Sequence, residues 1–160
     1  MSKEKEVKTN AMRILEKNKI PYTVNSYECD EFIDGMHIAD KLGQSYEESF
    51  KTIVTVGKSK NYYVFVLPVH KEIDLKKAAR CAGEKSLEMI PVKDLQGVTG
   101  YIRGGCTSIG MKKNYPVFIH SSACDFEKII VSGGKLGLQI ILAPDDLARV
   151  TNGHFEDITA

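Results

Sequence analysis

The sequence predicts an α+β domain with a largely antiparallel sheet. Three observations lead there. Two strand pairs read as hairpins, Phe50–Val56 with Tyr62–Val69 and Glu127–Val131 with Leu138–Leu142. Short amphipathic segments bounded by helix caps fall between the strands rather than in strict alternation with them. The chain of 160 residues, 42% hydrophobic and 27% charged, suits one domain large enough to bury a core, spanning residues 1–160.

Taken in order, Met1–Val7 reads as a solvated tail. Thr9 or Asn10 can cap a helix with Ala11, Ile14 and Leu15 on one face, ending near Asn18 because Pro21 forbids continuation. Tyr22–Tyr27 alternates and is rich in β-formers, so it is a strand. Phe32–Gly35 is a loop, and Met36–Leu42 a short helix stopped by Gly43. The first hairpin turns through Gly57–Asn61. Asp74 caps a helix that runs to Gly83, with Leu75, Ala78, Ala79 and Ala82 apolar. Ser86–Ile90 suits a short strand, and Pro91–Leu95 a short helix with proline in its first turn. Val117–His120 is a strand, Ser121 and Ser122 suit the cap of a turn at Ala123–Phe126, and Pro144–Val150 is the last helix. Pattern alone does not say whether the sheet closes on itself.

A formal charge of +1 is low for a dedicated nucleic-acid module, so any RNA contact is expected to be local. No apolar run approaches the ~20 residues of a membrane span. The start, MSKEKEVKTN, lacks the apolar core of a signal peptide, so a cytoplasmic protein is expected. Cys29, Cys81, Cys106 and Cys124 form no CxxC pair, and the histidines supply no zinc spacing, so neither a metal, a cofactor nor a disulfide framework is expected.

Two glycine-rich stretches stand out: TGYIRGGCTSIG (Thr99–Gly110) and VSGGKLG (Val131–Gly137). Glycines beside strands serve either tight turns or the close approach of main-chain N–H groups to a ligand. SGGK lacks P-loop spacing. Lys51, at the start of a strand, either snorkels to solvent or stands as a cation at a pocket rim. Cys106 has no base near it in sequence and reads as a packing thiol. His120, Ser121 and Ser132 lack a GxSxG elbow, and Ser132 either donates from its loop or satisfies the turn. Tyr27 is either half-buried at a strand end or offers its hydroxyl to a ligand. His37, His70 and His154 read as surface residues.

Five anchors then fall in order: RILEKNKIPY (Arg13–Tyr22), FKTIV (Phe50–Val54), IDLKKAA (Ile73–Ala79), GYIRGGCTSIGMKK (Gly100–Lys113) and VSGGKLGLQI (Val131–Ile140). Over nearly its whole length the chain resembles the YbaK/EbsC family, the bacterial Cys-tRNA(Pro) deacylases related to the editing insertion domain of prolyl-tRNA synthetase. The resemblance implies an antiparallel, barrel-like β core with surrounding helices. It implies removal of a mischarged amino acid from the 3′ end of an aminoacylated tRNA, with prolyl-tRNA synthetase as a partner. It makes Lys51 the essential lysine, and places Tyr27, Thr52, Gly104, Gly105, Ser132, Gly133 and Gly134 at the substrate. It also implies cleavage by the substrate's own thiol, which leaves as a cyclic thiolactone, so that the enzyme need only position the ester and stabilise an oxyanion.

Two departures stand against the family pattern. Many members read GGxSPxG where this chain has serine at Ser108, and some carry an aspartate at the position of Gln139. Glutamine is neither a base nor a counter-charge. Three functions stay open at this level: a deacylase for Cys-tRNA(Pro), a deacylase for another small amino acid such as alanine or serine, and a non-catalytic module that binds tRNA or a nucleotide.

Overall fold

The computed structural model describes residues 8–160, and the expected tail Met1–Val7 lies outside them. The chain runs α1 (Asn10–Lys17), β1 (Thr23–Ser26), α2 (Gly35–Leu42), β2 (Phe50–Gly57), β3 (Tyr62–Pro68), α3 (Leu75–Ala82) and β4 (Leu87–Met89). It continues through α4 (Val92–Thr99), β5 (Val117–His120), β6 (Ile129–Ser132), β7 (Leu138–Leu142), α5 (Pro144–Thr151) and β8 (His154–Glu156).

The helix ends follow from local chemistry. Thr9 Oγ1 accepts the Met12 N–H, Asp34 accepts the His37 N–H, and Asp74 accepts those of Lys76 and Lys77. Gly43 and Gly83 close α2 and α3 in the left-handed conformation, at φ 70° and 75°. α4 runs one turn past the expected Leu95, carrying Gly97 in its interior, and ends at Gly100. The turn after β5 is capped by the His120 ring, whose Nδ1 accepts the Ser122 N–H, rather than by the serines.

The strands form two sheets, β1-β7-β6 and β4-β2-β3-β5-β8. Both expected hairpins are present, with Val54 opposite Val64 in one and Val131 opposite Ile140 in the other. The expectation of a largely antiparallel core holds for four of the six strand pairings, and the picture of a barrel-like core is amended at two points. First, β3 pairs β5 in parallel, and β5 pairs β8 in parallel, so the larger sheet is mixed. The chain between β3 and β5 is a long crossover through α3, β4 and α4, which returns it in the same direction. β8 itself was not expected, because three residues carry no periodicity. Second, the strands do not close into a barrel. Among the described residues, a parallel bridge of Ser49 with Ile130 links the main chains of the two sheets, and there the Ile130 N–H donates to the Glu48 carbonyl at 2.9 Å.

β3 is the middle strand of five, and Tyr63–Pro68 are buried throughout because both faces are covered. One face carries Val64 and Val66, which with Phe50 and Val54 pack against Ile129, Val131, Ile140 and Leu142 of the smaller sheet and Leu15 of α1. The other carries Phe65 and Leu67, which pack on Ala78 and Ala79 of α3 and on Ile158. The Phe65 and Phe118 rings stack at 5.4 Å between centroids.

Candidate active site in the fork between the sheets

β4 pairs β2 only over Thr55–Gly57, so the first half of β2 has an uncovered edge. The Val54 carbonyl still accepts the Ile90 N–H at 3.1 Å. Two residues earlier, the main-chain groups of Thr52 point to the same side, where no strand pairs with them. A cavity of about 400 Å³ opens here. Its walls are Lys51–Val54 on one side and Ile130–Ser132 with Gln139 on the other. It lies where β2 and β6 part beyond the Ser49–Ile130 bridge.

Of the residues that the resemblance places at the substrate, Tyr27, Lys51, Thr52, Gly104 and Ser132 line this cavity. Gly105, Gly133 and Gly134 do not, although they belong to the loops that frame it. Gly105 presses backbone on backbone: a Cβ there would stand 2.9 Å from Lys135 Cα, in the other glycine-rich loop. Gly104 has φ 86°, and a Cβ would meet Leu136 and the Phe32 ring. Gly133 is held from both sides, its carbonyl accepting from Thr9 Oγ1 at 2.6 Å and its N–H donating to the Leu138 carbonyl. The Gly134 N–H donates to Ser132 Oγ at 3.3 Å. The start of α1 fastens both loops, since Asn10 Nδ2 also donates to the Gly110 carbonyl at 2.7 Å.

Lys51 is half-buried. Its ammonium donates to the Val69 carbonyl at 3.3 Å and makes no ion pair among the described residues. Burial pushes its pKa below the ordinary 10.5, while the fields of Glu72 and Asp34 pull it back up. Asp34 also lines the cavity, tied by its cap to the His37 N–H and ring. One N–H of the ammonium is engaged, which leaves donors for a ligand oxygen.

The thiol facing the cavity is Cys106, and burial pushes it up to about 11. It is protonated at neutral pH and a poor nucleophile. All four cysteines are free. His120 lies away from the cavity wall, with Nδ1 on Ser122 and Nε2 near Thr159 Oγ1 at 3.1 Å and Asp157 at 3.5 Å, and burial lowers its pKa. Among the described residues no histidine lines the cavity, so no Ser-His-Asp constellation forms there from them. Burial raises the Tyr27 hydroxyl above its ordinary range, so it remains a neutral donor. Among the described residues no three His, Cys, Asp or Glu side chains gather to hold a metal ion, and no helix is long and apolar enough to cross a membrane.

Two features of the wall, and one buried ring beside Val69 in the chain, had no local signal in the sequence. Gln139, 7% exposed, exchanges two amide hydrogen bonds with Gln44, at 2.8 and 3.0 Å, and accepts a third from Asn25 at 3.1 Å. The position marked as a departure is thus part of a neutral carboxamide cluster built from β1, β7 and the loop after α2. At the mouth, the Arg103 guanidinium sits 3.9 Å above the ring of Phe32, itself 41% exposed. His70 reads from sequence as a surface residue, yet its Nδ1 is buried with no hydrogen-bond partner among the described residues.

Residues 36–150 match the aminoacyl-tRNA editing domain family. A protein of Enterococcus faecalis named as a candidate Cys-tRNA(Pro)/Cys-tRNA(Cys) deacylase, EbsC, is 45% identical over 99% of this chain and 98% of its own. Two crystal structures share the fold at lower identity. One, described as a candidate trans-editing enzyme for prolyl-tRNA synthetase, has a TM-score of 0.81 and 20% identity over 97% of this chain and 99% of its own. The other, hypothetical protein APE2540, has a TM-score of 0.86 and 17% identity over 94% and 99%. The chain belongs to the aminoacyl-tRNA editing domain family, and to its branch that includes EbsC.

Proposed function

We propose that this protein is a trans-editing deacylase that removes mischarged cysteine from Cys-tRNA(Pro). The observation that carries the reading is a cavity with a half-buried ammonium and the unpaired main-chain edge at Thr52 but no competent protein nucleophile. Such a site suits a substrate that brings its own nucleophile. The cysteinyl thiol attacks the ester carbonyl. A C–S bond forms as the C–O bond to the terminal ribose breaks, and the thiol proton ends on the released ribose oxygen. Lys51 and the main-chain N–H of Thr52 stabilise the oxyanion between the two events. Tyr27, Gly104 and Ser132 bound the acyl group, with Gly105, Gly133 and Gly134 holding the loops at the required separation. The Phe32–Arg103 pair at the mouth offers a stacking face to the terminal base.

Editing of this kind answers a discrimination that a synthetase pocket cannot make, since side chains of similar size differ by too little binding energy. A nearly neutral chain supplies little tRNA affinity by charge alone, so prolyl-tRNA synthetase is proposed as a partner and the cytoplasm as the site of action. Adding that synthetase should raise the deacylation rate at low tRNA concentration.

The decisive experiment is single-turnover deacylation of Cys-tRNA(Pro) with release products identified, alongside alanyl and seryl esters. Cysteine thiolactone released by the wild type, with turnover lost about 10²–10³-fold in a folded Lys51→Ala variant, supports the proposal. Full activity in that variant, or equal rates on esters that lack a thiol, overturns it.

A further inference from the structure

A second cavity, of about 470 Å³, opens on the glycine-rich loop after α4. Ser108, Lys113 and Asn114 of that loop line it, together with Thr151 and Asn152 at the end of α5 and His154 at the start of β8. The loop serves both cavities, with Cys106 on the first and Ser108 on the second. Two residues of chain separate these walls by at most about 7 Å of backbone.

Ser108 is 7% exposed, yet its hydroxyl makes no hydrogen bond among the described residues. Nor is its oxygen sealed in the interior, where an unpaired hydroxyl would be costly. It is left to the cavity. Lys113, Asn114, Asn152 and His154 are all exposed around it. The lining holds one ammonium, one imidazole, hydroxyls and carboxamides, and no Asp or Glu. The C-terminal end of α5 opposes an anion with roughly half a charge at most. Its Ala148 and Arg149 carbonyls are already covered by the N–H groups of Asn152 and Gly153. The full charge of Lys113 outweighs what remains.

We infer that this second cavity is a phosphate-binding subsite that holds the RNA strand leading into the first. A phosphate group offers only acceptors, and this lining offers donors. The inference rests on the reading that the first cavity takes the charged 3′ end, because the shared loop then puts the second within a few nucleotides of it.

Lys113→Glu and Ser108→Ala test it. The first residue is exposed and the second makes no hydrogen bond to lose, so both variants should fold. The full chain is titrated by two-dimensional NMR with the trinucleotide CCA and, separately, with adenosine. CCA should move the Ser108, Lys113 and Asn114 amides in the wild type and fail to do so in Lys113→Glu, while adenosine, which carries no phosphate, should leave those three amides in place. In deacylation, Lys113→Glu should raise KM for charged tRNA about three- to tenfold with kcat within about twofold, and lower the salt slope by about one or more. Ser108→Ala should raise KM by a smaller factor. On cysteinyl-adenosine, which lacks the strand, KM should not rise.

Unmoved amides with CCA, or an unchanged KM for tRNA, overturn the inference. So does an equal KM rise on cysteinyl-adenosine, which would place the effect in the first cavity through the shared loop. Should the wild type cleave no ester, the NMR arm still reads the subsite, so failure of the deacylase reading and failure of this one are told apart.

Discussion

Lys51 is held where water reaches it only in part, and its pKa is lowered chiefly for that reason. A lysine is charged below its pKa, so catalysis that needs the ammonium persists at neutral pH. It declines as pH rises through a value beneath 10.5, and kcat/KM corrected for spontaneous ester hydrolysis should show an alkaline limb there. Lys51→Met should remove that limb along with the activity. Cys106→Ala should leave turnover within about twofold, since a thiol held near 11 contributes no thiolate; a dead variant would assign the enzyme its own nucleophile. Tyr27, Lys51, Thr52, Gly104 and Ser132 of the candidate cavity could be named from sequence, but through resemblance rather than spacing. Lys51 looks like any strand lysine until its neighbours are known. Phe32 and Arg103, or Gln44 and Gln139, meet only once the chain has folded, and no local pattern marks them.

Elements were legible where their signals are local. Asp74 and Gly83 bracket α3 by cap chemistry, and Phe50–Val56 with Tyr62–Val69 declares a hairpin by β-propensity around a polar turn. β8 was not legible, because His154–Glu156 is a strand only by virtue of the β5 edge it joins. The glycine-rich loops were visible as a pair, whereas their mutual contact was not. That contact predicts a cost. Gly105→Ala should destabilise by about 1–3 kcal/mol in thermal or urea unfolding, because the added methyl meets Lys135 main chain that cannot step aside. Thr9→Val should cost about 1–2 kcal/mol, as it loses both the α1 cap and the hydrogen bond to the Gly133 carbonyl. If Thr9 also sets the position of the second loop, that variant should raise KM for Cys-tRNA(Pro) more than it lowers kcat.

At the scale of the molecule, the α+β class follows from sequence but the sheet topology does not. Hairpins announce themselves within a few residues, while parallel pairing of β3 with β5 depends on a crossover whose return direction is settled by packing. Native-state hydrogen exchange should rank the strands accordingly. Amides of β3, covered on both faces, should exchange slowest, and those of β4 and β8, three residues each at the sheet edges, fastest. Rapid exchange across Val64–Leu67 would contradict the arrangement of the two cores.

The Ser49–Ile130 junction governs more than connectivity. Two ribbons diverging from a shared stem make a gap whose breadth depends on where the stem ends. Moving that branching point along the chain by two positions would widen or narrow the proposed acyl chamber while keeping each side chain on its own face. Selectivity among amino acids of different bulk is therefore open to change through the lengths of the segments entering β2 and β6, at positions the substrate never touches.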